Sequence, residues 1–413
     1  MIVFTGDTTR FAVVRSHGGV VLKPSQAANI RFLHAVSRTP CSKAFGLEPR
    51  LVLPSPADPG FMAVALEEQG LSEQLGDGPA QQATTHARNY ETCDPRIAAT
   101  FLESVRGAEL VVGFELSPAQ MKILDAAGIP FLYVTVHPYR CLHDLALLVG
   151  SNRPGVIDML RPLALSAYDV ESSVDTVRAA AARHNIVPHW LPAGTAVVAA
   201  QVPGDASLIK GGRLHQFSDH LPALLAHTSG APMTIVVPHP YGPPEMADER
   251  ALLGRMKGMA MISRINPYVL LCDERVSGVI SLSSSLSAEA EAFGKKGVTL
   301  LHDPLTRSEC AATLAVTGNV IRTAEFWSVI AAVLRRQPRA ILPPRLPFGD
   351  LPSFRKALGW QWSLQELMDS KSLPKPPRIV NLRQLESDGA QFIREAWHLV
   401  FDDDPRENAT WHV

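Results

Sequence analysis

The stretch "AELVVGFELSPAQMKILDAAGIPFLYVTVHP", residues 108–138, sets two apolar runs on either side of an amphipathic segment. "AELVVGF" and "IPFLYVTVHP" are continuous rather than alternating, the pattern of strands buried on both faces. Between them "SPAQMKILDAAG" reads as a helix: Ser117 supplies a hydroxyl at the N-cap, and Pro118 loses nothing in a first turn whose N–H groups lack partners. Strand, helix and strand at this spacing form a βαβ unit, which implies a parallel sheet.

Upstream, the short apolar runs "MIVF", "GGVVL" and "PRLVLPSP" lie among irregular stretches, ahead of the helix-like "DPRIAATFLESVRG". Downstream, a helix is predicted from Val170 to His184, followed by the connector "IVPHWLPAG". Alternation then restarts. "TAVVAAQ", "PMTIVVPHP", "NPYVLLCD", "VSGVISLSS" and "GVTLLHD" read as strands. "GGRLHQFSDHLPALLAHTSG", "EMADERALLGRMKG", "SLSAEAEAFGKK" and "TAEFWSVIAAVLRRQ" read as helices. Two such blocks predict an α/β protein of two Rossmann-like domains facing a cleft, residues 1–192 and 193–337. The proline-rich tail, 338–413, is expected to pack over both, because proline holds "ILPPRLPFGDLPSF" and "SLPKPPRIVN" in extended or turn conformations.

At 413 residues the chain exceeds one ordinary core, which agrees with this division. Its 39 basic and 40 acidic residues nearly cancel, so it lacks the positive field of a nucleic-acid binder, and no nucleic-acid partner is expected. The five cysteines are far apart and form no CxxC or Cys/His spacing, which argues against structural zinc and against a disulfide framework. No signal-like start and no run of about 18 apolar residues is seen, so no transmembrane segment is expected. The expected location is cytoplasmic, with any membrane contact peripheral, at the inner membrane. GxGxxG after a strand, GxxxxGK[ST], HExxH and GxSxG are all missing from the sequence. No cofactor and no metal is called for.

Ligands of open parallel sheets bind beyond the carboxyl ends of the strands. In the second block these ends carry Gln201, Asp205 and Ser207 after "TAVVAA", His239 in "VVPHPYGPPE", and Ser283, Ser284 and Ser285 ahead of a helix. Serines at a helix start suit an anion such as phosphate, although one of them capping the helix explains them equally well. His239, held between Pro238 and Pro240, is either a ligand for phosphate or ribose or a histidine bonded within a turn. Asp205 is a nucleophile, a general base, a ligand for a hydroxyl, or the cap of a Gly-Asp turn. In the first block, strand ends carry Glu115, His137 and Arg140, a base and a carboxylate-binding cation on one reading, a helix-cap acid and a salt-bridge partner on the other.

The ordered set "GFELSP", "VHPYR", "QVPGDAS", "PHP" and "SSSLSAEAEAFGKKG" resembles the bacterial retaining β-Kdo glycosyltransferases of O-antigen and capsule polysaccharide assembly, over roughly residues 105–350. The resemblance implies a GT-B fold with the donor, CMP-β-Kdo, in the C-terminal domain. It implies donor contacts from Gln201, Ser207, His239, Pro240, Ser283, Ser284, Ser285 and Glu289. It implies Asp205 as the nucleophile that carries a glycosyl adduct, with Glu115 activating the acceptor hydroxyl and His239 assisting. Arg140 or Lys210 would meet the sugar carboxylate. Ser287 and Lys296 replace a glycine and a proline of the family pattern, while Glu289, Ala290, Gly294 and Lys295 keep it. The expected partners are a CMP-sugar donor, a glycan or lipid-linked glycan acceptor, and a polysaccharide assembly complex. The alternatives are an inverting transferase of the CMP-sialic-acid type, or a non-catalytic nucleotide-sugar or glycan-binding module.

Overall fold

A computed structural model describes residues 1–16, 19–24, 27–53, 86–184, 191–202, 204–239, 247–256, 258–337, 354–355, 364 and 367. The chain begins with β1 (Ile2–Gly6), an antiparallel hairpin of β2 (Phe11–Ser16) and β3 (Gly19–Pro24), helix α1 (Ala27–Phe45) and the short β4 (Arg50–Leu51). There follow α2 (Pro95–Ser104), β5 (Leu110–Phe114), α3 (Pro118–Ala126), β6 (Phe131–Val136), β7 (Ala146–Ser151), α4 (Pro154–Leu160) and α5 (Ala167–His184). The 108–138 stretch is β5–α3–β6. Its strands pair in parallel, Val111 opposite Phe131, and every residue of both is buried. Ser117 and Gln120 form a capping box at the start of α3, satisfying N–H groups that the helix leaves unpaired.

The second run holds β8 (Thr195–Ala199), β9 (Ile209–Lys210), β10 (Arg213–Leu214), α6 (Leu221–Thr228), β11 (Met233–Val237), α7 (Ala247–Leu253) and β12 (Met259–Ile262). It continues with α8 (Pro267–Cys272), β13 (Val276–Ser281), α9 (Ser285–Ala292) and β14 (Lys296–Thr299). Its sheet has the order β12-β11-β8-β13-β14 and is parallel throughout. The protein is thus α/β, with two Rossmann-like sheets.

Several elements differ from the sequence expectation. "NPYVLLCD", predicted as a strand, is α8. The Asn266 side chain accepts the Tyr268 N–H at 3.0 Å and Pro267 occupies the first turn, so a cap decides where six apolar residues could not. The sheet's outer strand is β12 instead. The long helix predicted at 211–230 is a β9–β10 hairpin, a 3-10 turn (Phe217–His220) and only then α6.

The largest difference concerns residues 193–337. After β14 the chain leaves the second sheet: β15 (Ala312–Thr317) lies antiparallel to β7, completing a first sheet of order β15-β7-β6-β5-β1-β4. Helix α10 (Ala324–Leu334) buries Phe326, Trp327 and Ile330 with Ile2, Phe4 and Val149 in the first core. In exchange, α5 contributes Val174, Val177, Ala180 and Ala181 to the second core with Val197, Ile235, Tyr268 and Leu286. Each unit therefore borrows an element from the other's stretch of sequence. Of the tail, Phe354 packs into the first core and Leu364 and Leu367 into the second.

Candidate functional site

The carboxyl edge of the second sheet gathers the predicted polar groups from separate strand ends. Beyond β8, Gly204 takes φ +85, a left-handed turn open to glycine, and delivers Asp205 to the start of a one-turn 3-10 helix, Ala206–Leu208. Asp205 Oδ1 accepts the Ser207 N–H at 2.9 Å. This fixes the carboxylate's orientation and leaves Oδ2 outside the cap bond. Gln201 donates through Nε2 to Ser283 Oγ at 2.8 Å and to Ser207 Oγ at 3.2 Å, and its Oε1 accepts the Ser283 N–H at 2.8 Å. Ser283 Oγ donates in turn to Ser207 Oγ at 2.9 Å. Gln201, Ser207 and Ser283 are thus locked into one network spanning two strand ends.

The serine turn divides its labour. Ser284 caps α9, its Oγ accepting the Leu286 N–H at 3.3 Å, while its own N–H donates to Ser281 Oγ at 3.0 Å. Ser285 is the first residue of α9. Ser287 is 1% exposed and shares hydrogen bonds with Ser281 Oγ (2.8 Å) and Thr299 Oγ1 (3.0 Å). Its hydroxyl is therefore satisfied within the first turn of α9 and its surroundings.

His239 lies just past β11. Burial pushes its pKa below the usual histidine value, with Asp205 pulling it back and Arg140 pushing it further down, so the ring is neutral at neutral pH. Those causes also place Asp205 and Arg140 within electrostatic reach of one imidazole. Pro240 lies outside the described residues. Lys210 is exposed on β9, where its charge is felt by His220.

The first sheet supplies the opposite groups. Glu115, directly after β5, has φ +50, a conformation that a non-glycine residue holds only at a cost and that recurs at functional sites. Its Oε1 accepts the Thr135 hydroxyl at 3.0 Å. Beyond β6, burial and then Arg140 push His137 down to about 4. Its Nδ1 accepts the Tyr139 N–H at 3.1 Å, so it stiffens its own turn. Burial lowers the pKa of Arg140, opposed by Glu289 and Glu115. Glu289 is 1% exposed, and its Oε1 accepts the Cys141 N–H at 2.7 Å and the Tyr268 hydroxyl at 3.1 Å. From α9, Glu289 therefore reaches the β6–β7 connection.

Sequence reading missed a further pair. At the carboxyl end of β1, Asp7 Oδ1 accepts the N–H (2.8 Å) and hydroxyl (2.6 Å) of Thr9, and Oδ2 lies 2.9 Å from His86 Nε2. Both residues are buried. The strand-end rule applied to "MIVF" would have found Asp7, but His86 arrives from 79 residues away without a local signal. Among the described residues no three His, Cys, Asp or Glu side chains are grouped as metal ligands, and no helix is long and apolar enough to cross a membrane.

No protein-family model matches the chain, and no curated protein matches it. Among solved structures it is similar to the Thermosulfurimonas dismutans KpsC β-Kdo 2,4 transferase, at 15% identity and a TM-score of 0.30 over 63% of this chain and 75% of that one. The β-Kdo 2,7 transferase of the same KpsC matches at 14% identity and a TM-score of 0.33, over 67% of this chain and 90% of that one. The Methanocaldococcus jannaschii UDP-GlcNAc 2-epimerase matches at 10% identity and a TM-score of 0.25, over 81% and 99%. At these values the similarity says nothing about chemistry, which rests on the residues described above.

Proposed function

We propose that the chain is a glycosyltransferase that moves Kdo from CMP-β-Kdo to a lipopolysaccharide O-antigen or capsule glycan with retention. The observation that supports this is the convergence of Gln201, Ser207 and Ser283 from two strand ends into one hydrogen-bonded set, with Asp205 capping the turn at its centre. The motif resemblance falls on the same residues. Two accepted hydrogen bonds occupy the oxygen of Ser207, so its O–H is directed to a further acceptor, the role a donor phosphate would fill. The N-terminus of α9, which begins at Ser285, adds a favourable dipole for the same anion.

In the proposed reaction Asp205 attacks C2 of Kdo, the bond from C2 to the phosphate oxygen breaks, and CMP leaves with both electrons. An acceptor hydroxyl then attacks C2 from the vacated face, Glu115 takes its proton, and the Asp205 ester bond breaks. Two inversions give net retention. Neutral His239 donates a hydrogen bond to the phosphate, and Arg140 meets the sugar carboxylate. This reading carries with it a cytoplasmic location.

The test is intact-protein mass spectrometry after incubation with CMP-Kdo and no acceptor. Wild type is expected to gain one Kdo mass and Asp205→Ala none. CMP release without an adduct would replace the retaining mechanism by hydrolysis or by an inverting, CMP-sialic-acid-type reaction. The cap bond from Ser207 to Asp205 favours one second reading, a binding module in which Asp205 only shapes the turn. CMP binding with neither adduct nor release would select it.

A further inference from the structure

The β6–β7 connection, residues 137–145, is gripped by α9 and by the tail. Glu289 in α9 of the second unit accepts the Cys141 N–H at 2.7 Å. From the tail, Arg355 Nη2 donates to the carbonyls of Arg140 (2.7 Å) and Leu142 (2.9 Å). The N–H groups of Phe354 and Arg355 donate to Asp144 at 3.0 and 2.9 Å. Cys141 itself is buried among residues of the second core, so a loop of the first sheet is embedded in the other unit. Between its anchored neighbours stands Arg140, the one cation of this connection that also feels Glu115 and Glu289.

We propose that Glu289 is a positioning residue that fixes this connection to the second unit and thereby sets the place of Arg140 against the donor sugar. The carboxylate is sealed off from solvent and committed to two protein donors, Cys141 N–H and Tyr268 hydroxyl, so it acts through them and not by touching a ligand. The charged and titratable groups around it are Tyr139, Arg140 and Cys141 of the connection, Tyr268 of α8 and Arg355 of the tail. Leaving a buried N–H without an acceptor is costly, so the connection has one preferred seat. The consequence for the donor rests on the reading of Arg140 given above; the fixing of the connection does not.

Two variants separate these statements. Glu289→Met fills the volume without offering an acceptor, and Glu289→Gln keeps an acceptor oxygen for Cys141 N–H. In native-state hydrogen exchange, the Cys141 amide should exchange about tenfold faster or more in Glu289→Met, and close to wild type in Glu289→Gln. Affinity for intact CMP-Kdo should fall by about tenfold or more in Glu289→Met and recover in Glu289→Gln, while affinity for CMP alone, which has no sugar carboxylate, stays within about twofold. An unchanged Cys141 amide in Glu289→Met overturns the proposal. So does a freed amide with unchanged CMP-Kdo affinity. If wild type binds neither CMP nor CMP-Kdo, the transferase reading falls, and the amide alone decides whether Glu289 holds the connection.

Discussion

Replacing Glu289 by Gln reads the burial of one carboxyl without any substrate. Burial lifts its pKa from 4.5 to about 7, against the pull of the Cys141 N–H, Arg140 and the Tyr268 hydroxyl. The folded protein keeps this proton up to about pH 7, whereas the unfolded chain releases it near 4.5. Between those values the folded state binds more protons, so this group's contribution to stability falls as pH rises. The displacement corresponds to about 3 kcal/mol. Glutamine cannot ionise, so Glu289→Gln should gain on wild type by up to about 3 kcal/mol between pH 4.5 and about pH 8. The difference between the two proteins is the quantity to read, because His137 slopes the wild-type curve the other way. Its pKa is depressed from 6.5 to about 4, so the unfolded chain takes up a proton first and stability is lost as pH falls through that window. Urea unfolding at a series of pH values, compared at constant m, supplies the measurement. A difference that stays flat with pH refutes the burial argument. One that grows in favour of wild type means that attraction to Arg140 outweighs desolvation.

Two further outcomes follow from the geometry. Gln201→Ala removes three hydrogen bonds from the serine network, and should lower CMP affinity by about 1–3 kcal/mol, as should His239→Ala or Ser284→Ala, measured by titration calorimetry; unchanged affinity in all three places the donor elsewhere. Burial pushes the Cys41 and Cys310 thiols up to about 12 and Cys272 to about 11, so native protein should react with iodoacetamide at about pH 8 far more slowly than urea-unfolded protein; equal rates would mean that these thiols are not enclosed.

What sequence could reveal of the fold depended on where the deciding information lay. The β5–α3–β6 unit was legible because its signals are local: two wholly buried strands and a capping box within one stretch. The run "PYVLLC" was ambiguous by periodicity, and the deciding signal was the preceding Asn266 with its adjoining proline. Strands β7 and β15 carried no comparable signal. Their pairing, Ala312 opposite Ser151, joins segments that only tertiary structure brings together, and the return of the chain to the first sheet went unread with them.

The site divides along the same line. The residues Gln201, Asp205, Ser207, Ser283 and Ser284 follow from the strand-end rule, since a parallel sheet sends every carboxyl end to one edge. Glu289 matched a motif letter, yet its hydrogen bonds depend on something no motif encodes. Because β7 runs antiparallel to β6, the two strands need no crossover helix, and the short connection between them stays at the carboxyl edge of the first sheet. A parallel neighbour would have required a crossover carrying the chain back past that edge. The reversed strand is therefore what keeps Arg140 and Cys141 at the edge where α9 can reach them, and it makes the position of Arg140 a property of both units.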